Sequence, residues 1–483
     1  MGNESDRGRL IRNISANTFQ VLGNQFLGVF IFLIISRSFD KPSFGELSWS
    51  LAVLTLITTL LSLRLEQIVV RNVAAGDNPS GMLTLFAAHN FIMGLLFFGT
   101  LSLVCYLYHP LARDHYLLWI LSISQILTFW ALPFRQLLAG RGAFGWLALL
   151  ASVSNLIRAV GLYFCVIYSA LNLRMVIVLF TVSSMVELGL GIWIVWGRLG
   201  IGLKRMDFVP AYRDLIKSSL PQVGVVFLQA GIARVDWILM GVLSTPAHTA
   251  EYTFAYRAFE FAPLPLLVVA PLLLNKMARE HGGENVDGEK MARGGADVAF
   301  LDRLVRLELL LATLPTLWLV LTWAPMVDLF TASKYGASNT LTFLILSCCI
   351  PFQYINNLYW SKEFARNRLS LILSVTAVTG AIVLVGDVIL IPYYAGVGAA
   401  AAFLSAMVVQ YILYTRASGL EKKWEWGGRM LLSMAIAGGS GVIAVGVTDM
   451  LTLQLLVGTV LYCLLGWVTG LIRTKENVLL WNP

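Results

Sequence analysis

The sequence predicts an all-α polytopic membrane protein with about fourteen transmembrane helices. Apolar residues fill 58% of its 483 positions and charged residues only 13%, about half the charged fraction of a soluble domain. The mean hydropathy is +0.75, and the apolar residues form continuous runs rather than the alternation of a membrane barrel. Fourteen spans of about 22 residues each leave only short connections, so no soluble domain of ordinary size is expected.

Apolar windows long enough to cross a bilayer predict the individual spans. The spans cover residues 14–36, 44–63, 83–107, 116–138, 146–170, 175–197, 215–243, 252–275, 301–323, 339–361, 369–392, 396–416, 429–448 and 452–472. The longest connection, residues 276–300, is rich in charge and glycine and separates the eighth span from the ninth. It is therefore expected to be a solvated loop.

The placement of Lys and Arg predicts the orientation of the chain. With the N-terminus inside, most of the 35 basic residues fall in cytoplasmic segments. The outer segments hold Arg37, Lys41, Arg113, Arg174 and Lys334. Because cytoplasmic loops retain positive charge, both termini are predicted to be cytoplasmic. The first apolar run is too long for the apolar region of a cleavable signal, so the first helix is expected to be retained.

The same composition excludes several classes of function. Soluble enzymes and disordered chains do not have this hydropathy, and the net charge of +8 lies in short loops, which favours a membrane surface over nucleic acid as the partner. The five cysteines lie inside apolar runs without C-x-x-C spacing, so no disulfide or metal site is predicted. Motifs for metal, serine or nucleotide chemistry are absent, so an ion gradient or the membrane potential is expected to supply energy.

A short motif that occurs twice predicts an internal repeat. The segment PSFGELSWS at residues 42–50 follows the first span, and PAHTAEYTFA at residues 246–255 follows the seventh. Because six spans separate the copies, the two lobes have the same orientation and enclose a cavity at their interface. The predicted organisation is an N-terminal lobe at 1–205, a C-terminal lobe at 206–420 and two extra helices at 421–483.

Ionisable side chains inside apolar spans are costly, so each is a candidate functional group. They are Arg158, Glu187, Arg234, Asp236, Arg257, Glu260, Glu308 and Asp387. Arginine stays charged at any depth and binds phosphate oxygens with a fork of N–H groups. The predicted cationic substrate site consists of Arg37, Arg64, Arg158, Arg234 and Arg257.

Simpler explanations exist for some of these residues. Arg37 and Arg64 lie near membrane edges and could reach the headgroups, and Arg257 could form an i,i+3 pair with Glu260. If the ligand is a lipid diphosphate bearing sugars, its hydroxyls need polar partners such as Asn24, Gln25 and Gln229. The single histidine inside a span, His89, is expected to be a packing residue.

Carboxylates inside spans suit the binding of a coupling ion, H⁺ or Na⁺. The candidates are Asp236, Asp387, Ser405 and Glu260. Ordinary hydrogen bonding between helices explains the same residues equally well, and both interpretations stay open. No other cofactor is expected.

Two segments of the first lobe resemble a known family. Residues 35–45, ISRSFDKPSFG, are similar to the L-x-R-x-L-G-P-E-x-F-G signature of Wzx-type polysaccharide flippases, which belong to the multidrug/oligosaccharidyl-lipid/polysaccharide (MOP) exporter superfamily. Residues 63–74, LRLEQIVVRNVA, resemble the segment that follows that signature. The departures are mild: a glycine of the signature is missing, and Lys41 precedes the proline.

The second lobe agrees with this resemblance. RVDWILMG at residues 234–241 is similar to the family's R-x-D-x-x-x-L-G pattern, and residues 252–257 resemble its continuation. DVILIPYYAGVGAA at residues 387–400 resembles the N-x-x-L-I-P-x-x-G-x-x-G-A-A segment, with an acid where the family often has Asn. The resemblance covers about residues 10 to 420.

The resemblance implies a function. It implies two six-helix lobes around a cationic cavity, with alternating access that moves undecaprenyl-diphosphate-linked oligosaccharide across the bacterial inner membrane. Arg37, Arg64 and Arg257 correspond to cavity arginines of related lipid II flippases, and Asp236 and Asp387 to their cation-binding acids. The expected partners are this lipid-linked oligosaccharide, membrane lipids, and the polymerase and chain-length regulator of the same pathway, without nucleic acid.

Two other functions fit parts of the sequence. A drug or cation antiporter of the same superfamily would use carboxylates rather than arginines as its main cavity charges. A membrane polysaccharide polymerase or acyltransferase would be an enzyme, but polymerases usually carry a large periplasmic loop, and the longest loop here is predicted to be cytoplasmic.

Overall fold

The structure, a computed structural model, describes residues 23–109, 115–204, 207–263, 290–366, 368–418 and 423–472. Within these ranges all regular secondary structure is helical. Ten helices in them are long and apolar enough to cross a membrane. The chain is therefore a multi-pass membrane protein of the predicted all-α class.

The helices follow the predicted spans closely. Their bounds are α1 Gly23–Ser38, α2 Lys41–Leu61, α3 Leu65–Ala74, α4 Pro79–Leu107, α5 Tyr116–Gly140, α6 Phe144–Ile167, α7 Leu173–Ile192, α8 Phe208–Leu243, α9 Pro246–Phe259, α10 Lys290–Thr331, α11 Thr340–Ala365, α12 Leu369–Ala417, α13 Lys423–Val447 and α14 Leu451–Val468. A π-helical turn, Trp193–Arg198, extends α7. The start of the first predicted span, the end of the eighth and residues 276–289 of the predicted loop lie outside the described residues. The prediction of a loop is wrong for residues 290–300, which form the first turns of α10.

The repeated motif begins equivalent helices. Asp40 caps α2 and accepts a hydrogen bond from the Ser43 backbone N–H, with proline in the first turn. Thr245 caps α9 in the same way through the His248 N–H, again with proline in the first turn. A capping side chain followed by proline favours helix initiation because both satisfy or remove unpaired N–H groups.

A short helix that the sequence analysis did not predict follows the second predicted span. Span 44–63 corresponds to α2, which ends at Leu61, and α3 begins at Leu65. Leu63 and Arg64 between them have φ values of 48° and 60°, which is left-handed backbone that non-glycine residues rarely adopt. The amphipathic α3 then buries Leu65, Ile68 and Val69 among side chains of its neighbours.

Helix α12 contains two spans, as predicted. Its 49 residues would be about 74 Å long at 1.5 Å per residue, more than twice the hydrocarbon thickness. The helix breaks at Ala395, where φ is 45° and ψ is −126°. This break lies between the predicted spans 369–392 and 396–416.

The chain divides into two compact units, one up to Arg234 and one from Val235. In the first unit α5 is the central helix and packs against α2, α3, α4, α6 and α7. In the second unit α11 is central and packs against α9, α10, α12 and α13. The central helices are the predicted fourth and tenth spans, six apart, so the two units repeat one packing scheme.

Helices α13 and α14 belong to the second unit and are fixed to α10. Trp426 and Arg429 donate hydrogen bonds to Asp302, and Arg306 donates one of 2.9 Å to the Gly470 carbonyl oxygen. Burial by itself raises the pKa of Asp302, but the hydrogen bonds and charges of Arg429, with Trp426 and Arg306, hold it below its usual value. Deeper in the bilayer, Thr313 and the Tyr462 hydroxyl are hydrogen bonded at 2.6 Å.

We predict that Gly398→Ala destabilises the second unit. A Cβ at this position would lie 2.5 Å from the Leu390 carbonyl oxygen and 2.7 Å from its carbon, so the backbone after the Ala395 break must shift. The expected cost is about 1–3 kcal/mol, measured as a lower unfolding temperature in detergent. Gly439→Ala is the control because nothing lies within 4 Å of its Cβ. Equal unfolding temperatures for both variants would contradict this account of the break.

Candidate functional site

Arg64 lies on the break between α2 and α3. It has left-handed backbone and precedes the first turn of α3. Its side chain is partly exposed, and no carboxylate in the described part of the chain pairs with it. Because α2 has 21 residues, it is about 31 Å long, so the break lies about one hydrocarbon-core thickness from Lys41. With the predicted orientation, Arg64 is at the cytoplasmic headgroup level.

Arg158 lies in a packed polar network inside the first unit. Its guanidinium donates to the Ser183 hydroxyl at 2.7 Å and to the Ser184 hydroxyl at 3.0 Å, and lies 4.6 Å from the Phe180 ring centre. These contacts connect α6 to α7. They give Arg158 a structural role, and its predicted contact with substrate stays a prediction.

A buried ion pair lies beside this network. Glu187 on α7 is fully buried and pairs with Arg135 on α5. Glu187 also interacts electrostatically with Arg158. Two cations and one anion therefore share the interior of the first unit. The sequence analysis did not include Arg135 among the ionisable residues inside spans, although it falls inside the predicted span 116–138.

The remaining arginine candidates differ in exposure. Arg257 and Glu260 form the expected i,i+3 pair at 2.6 Å, with 44% and 28% of their side chains exposed. Arg37 is exposed near the end of α1, and Arg234 is partly buried on α8. Among the polar candidates, Asn24 accepts a hydrogen bond of 3.3 Å from Asn155 and Gln25 is exposed. The side chain of Gln229 lies outside the described residues.

Two of the coupling-ion candidates come together in the second unit. Asp236 on α8 is fully buried and accepts hydrogen bonds from the Tyr252 hydroxyl and the Trp237 backbone N–H. Asp387 on α12 is also fully buried and is close enough to interact electrostatically with Asp236. Neither oxygen of Asp387 has a hydrogen-bond partner among the residues that the structure describes.

The other two coupling-ion candidates, Ser405 and Glu260, make different contacts in the described part of the chain. Ser405 is exposed, and its hydroxyl donates to the Ala401 carbonyl oxygen of its own helix at 2.8 Å. Glu260 carries the ion pair with Arg257. Tyr252 was not among the predicted site residues, although its position in the repeated motif at residues 246–255 was a signal. Gly396 lets α12 approach Tyr252 closely, since a Cβ there would lie 3.3 Å from the Tyr252 Cβ.

An apolar groove of about 630 Å³ opens between α10, α11 and α13. Its walls include Leu317, Leu321, Leu344, Pro351 and Val445. Gly441 and other small residues on α13 leave space for it. Such a groove can hold an apolar chain, because aliphatic and small side chains line most of its surface.

The chain was compared with known proteins once this geometry was established. The family model described as polysaccharide biosynthesis protein matches residues 10–272, which is more than half of the chain. The chain belongs to this family. Comparison with curated proteins finds no match.

Solved structures show the same fold. The lipid II flippase MurJ in an inward closed conformation has a TM-score of 0.73 and 13% identity, with 96% of this chain and 100% of MurJ covered. An inward-facing multidrug resistance MATE family transporter of the MOP superfamily has a TM-score of 0.60 and 14% identity, covering 85% of this chain and 99% of its own. The Vibrio cholerae MATE transporter VcmN has a TM-score of 0.55 and 15% identity, covering 87% and 99%.

The family match agrees with the predicted resemblance to a polysaccharide family, and the fold agrees with that of a solved MOP-superfamily transporter. In this polysaccharide biosynthesis protein, the family match includes the α2–α3 break with Arg64 and the α8–α9 segment with Asp236, Tyr252 and Arg257. Asp387 lies beyond the matched residues.

We predict that Glu187→Gln destabilises the folded protein. The change leaves the partly buried Arg135, with 24% of its side chain exposed, without its carboxylate partner, and breaking a buried ion pair costs up to about 3–5 kcal/mol. The unfolding temperature in detergent and the yield of monodisperse protein should both fall. Arg135→Met combined with Glu187→Gln should recover much of the loss because it removes the unpaired cation.

The matched control is Glu425→Gln. Glu425 pairs with Arg429 at 3.5 Å, but 56% of its side chain is exposed, and exposed pairs contribute about 0–1 kcal/mol. A Glu187→Gln protein as stable as the Glu425→Gln protein would show that the interior pair is not needed.

Proposed function

We propose that this protein moves an undecaprenyl-diphosphate-linked oligosaccharide from the cytoplasmic to the periplasmic leaflet of the bacterial inner membrane, for surface polysaccharide biosynthesis. The observation that carries the proposal is Arg64, a guanidinium without a carboxylate partner among the described residues, on the left-handed break that follows α2. In the orientation proposed here, this end of α2 lies at the cytoplasmic headgroup level. A lipid diphosphate presents its charge at that depth. Arginine binds such a group through two parallel N–H···O bonds.

The groove of the second unit supports a lipid-linked substrate. Its walls are aliphatic and its volume is about 630 Å³, within the range of sites for apolar ligands. A polyprenyl chain would bury its CH₂ groups there, each contributing about 0.8 kcal/mol relative to water. The two repeated units supply the lobes that alternating access requires.

The coupling ion is proposed to bind at Asp387. A charged carboxylate with no exposed surface and no hydrogen-bond partner is unstable in an apolar environment, so Asp387 is expected to take up H⁺ or bind Na⁺ during each cycle. The hydroxyl of Tyr252 and the carboxylate of Asp236 lie beside it and supply further oxygen atoms. Both termini are proposed to be cytoplasmic, and a polymerase and chain-length regulator are proposed to act on the delivered lipid.

We predict that Arg64→Gly abolishes transport without lowering stability. Glycine adopts positive φ at no steric cost, so the break should be as stable as before or more stable by about 0.5–1 kcal/mol. The diphosphate, however, loses its charged hydrogen bonds. The measurement is flipping of a fluorescent undecaprenyl-diphosphate-linked oligosaccharide in proteoliposomes, with the unfolding temperature recorded for the same preparation.

The control for this variant is Arg71→Ala. Arg71 is an exposed cation on α3 that bonds the neighbouring Asn72 at 3.3 Å, so its loss should leave transport near the wild-type rate. Wild-type flipping by the Arg64→Gly protein would remove Arg64 from the substrate site. Efflux of a cationic drug instead of lipid flipping would favour the antiporter alternative.

We predict that Asp387→Asn flattens the dependence of flipping on an imposed H⁺ or Na⁺ gradient. The amide has a similar shape but cannot change its charge, so the protein should stay folded while coupling is lost. Glu308→Gln is the matched control, since Glu308 is a second fully buried carboxylate of the same unit without a hydrogen-bond partner in the described residues. Gradient dependence retained in Asp387→Asn, or lost equally in Glu308→Gln, would contradict the assignment.

A further inference from the structure

The break between α2 and α3 rearranges the backbone hydrogen bonds around Arg64. The Ser62 N–H donates to the Thr58 carbonyl oxygen, and the Leu63 N–H donates to that of Leu60. The Leu65 N–H, which in a continuous helix would bond the Leu61 carbonyl four residues earlier, donates to Ser62 instead, at 3.0 Å. The break therefore leaves the Leu61 carbonyl without a backbone donor.

A side chain of another helix is hydrogen bonded to this carbonyl oxygen. The Nε2 atom of His89 on α4 lies 2.8 Å from the Leu61 oxygen. Its Nδ1 atom lies 2.8 Å from the Tyr212 hydroxyl on α8. The imidazole is almost completely buried, with 1% of its surface exposed.

The chemistry of the partners assigns the tautomer. A carbonyl oxygen only accepts, so Nε2 must carry the proton. In the neutral ring Nδ1 then accepts a hydrogen bond from the Tyr212 hydroxyl, and this second bond fixes both the tautomer and the ring orientation. The ring thus links three helices at the residue where α2 ends.

We propose that His89 is a positioning residue for Arg64: its N–H supplies the bond that the break removes, and so holds Leu63 and Arg64 in the left-handed backbone that presents the guanidinium to a diphosphate. The role rests on the proposed function. It replaces the expectation from the sequence that His89 only packs, because packing alone needs neither hydrogen bond. Without the donor, the segment from Leu61 to Leu65 is expected to regain helical hydrogen bonds, which moves Arg64.

The test compares three variants of the full chain. His89→Leu removes both bonds, His89→Gln keeps one donor and one acceptor at the tip of the side chain, and Tyr212→Phe removes only the bond that orients the ring. The control is Asn90→Leu on the same helix, because the Asn90 amide also donates to a buried carbonyl oxygen, that of Phe129 on α5, at 2.8 Å. That bond has no connection to the break.

The measurement is binding of undecaprenyl diphosphate to the purified protein by native mass spectrometry, with undecaprenol as the neutral comparison. His89→Leu is expected to weaken diphosphate binding about 10- to 100-fold, the loss of one charged hydrogen-bonded contact, with undecaprenol binding unchanged. The His89→Gln protein should regain most of the wild-type diphosphate affinity. The affinity of Tyr212→Phe should lie between those of the wild-type and His89→Leu proteins. In an Arg64→Ala background, His89→Leu should cause no further loss, because it acts through Arg64.

Three results would overturn the inference while leaving the proposed function intact. The first is wild-type diphosphate affinity in a folded His89→Leu protein. The second is equal loss in Asn90→Leu, and the third is losses that multiply when Arg64→Ala and His89→Leu are combined, since both of these indicate general destabilisation. Failure of the wild-type protein to prefer undecaprenyl diphosphate over undecaprenol would overturn the proposed function, and this inference with it.

Discussion

Backbone carbonyl and N–H groups inside a bilayer have no water to bond, so each must find a partner within the protein. This requirement explains why the described chain is helical and why its interruptions are few. Where α7 changes to a π-helical turn, the Leu199 and Ile201 N–H groups bond back to Ile194 and Val195. At the α2–α3 break the missing partner is a side chain, His89, from a different helix.

Buried side-chain charges also need partners within the protein, and the two units differ in how they provide them. In the first unit the buried Glu187 is compensated by Arg135, and Arg158 is bound by serine hydroxyls. In the second unit Asp387 is buried without such a partner in the described ranges. The first unit therefore holds its interior charges in fixed contacts, whereas the second buries two carboxylates, Asp387 and Glu308, that have no hydrogen-bond partner in the described ranges.

The sequence predicted the helical class, the order of the spans and the family, because these depend on apolar runs and short motifs. It also separated the two halves of α12, where Pro392 and Gly396 flank the break. It did not predict the left-handed backbone of Leu63 and Arg64 or the short helix α3 that follows, because no glycine or proline marks this segment.

The prediction of site residues was limited in the same way, because it depends on contacts between helices. Arg158, Glu187, Asp236 and Asp387 could be found from charge inside apolar runs, but their partners depend on how neighbouring helices are rotated and shifted along their axes. Nothing in a single sequence gives that information for Ser183, Ser184 or Tyr252. Arg135 could have been found from its position inside a span.

The attachment of α13 and α14 to α10 has a consequence for the minimal size of this fold. Asp302, Thr313 and Trp318 on α10 all find hydrogen-bond partners on these last two helices. A Cβ added at Gly441 would lie 3.1 Å from Leu317 of α10, and one added at Gly458 would lie 3.2 Å from Leu321, so glycine allows both helices to approach α10 closely. A chain shortened to twelve spans would leave polar groups of α10 facing acyl chains. Helices α13 and α14 are therefore a structural part of the second unit that cannot be removed without exposing these groups.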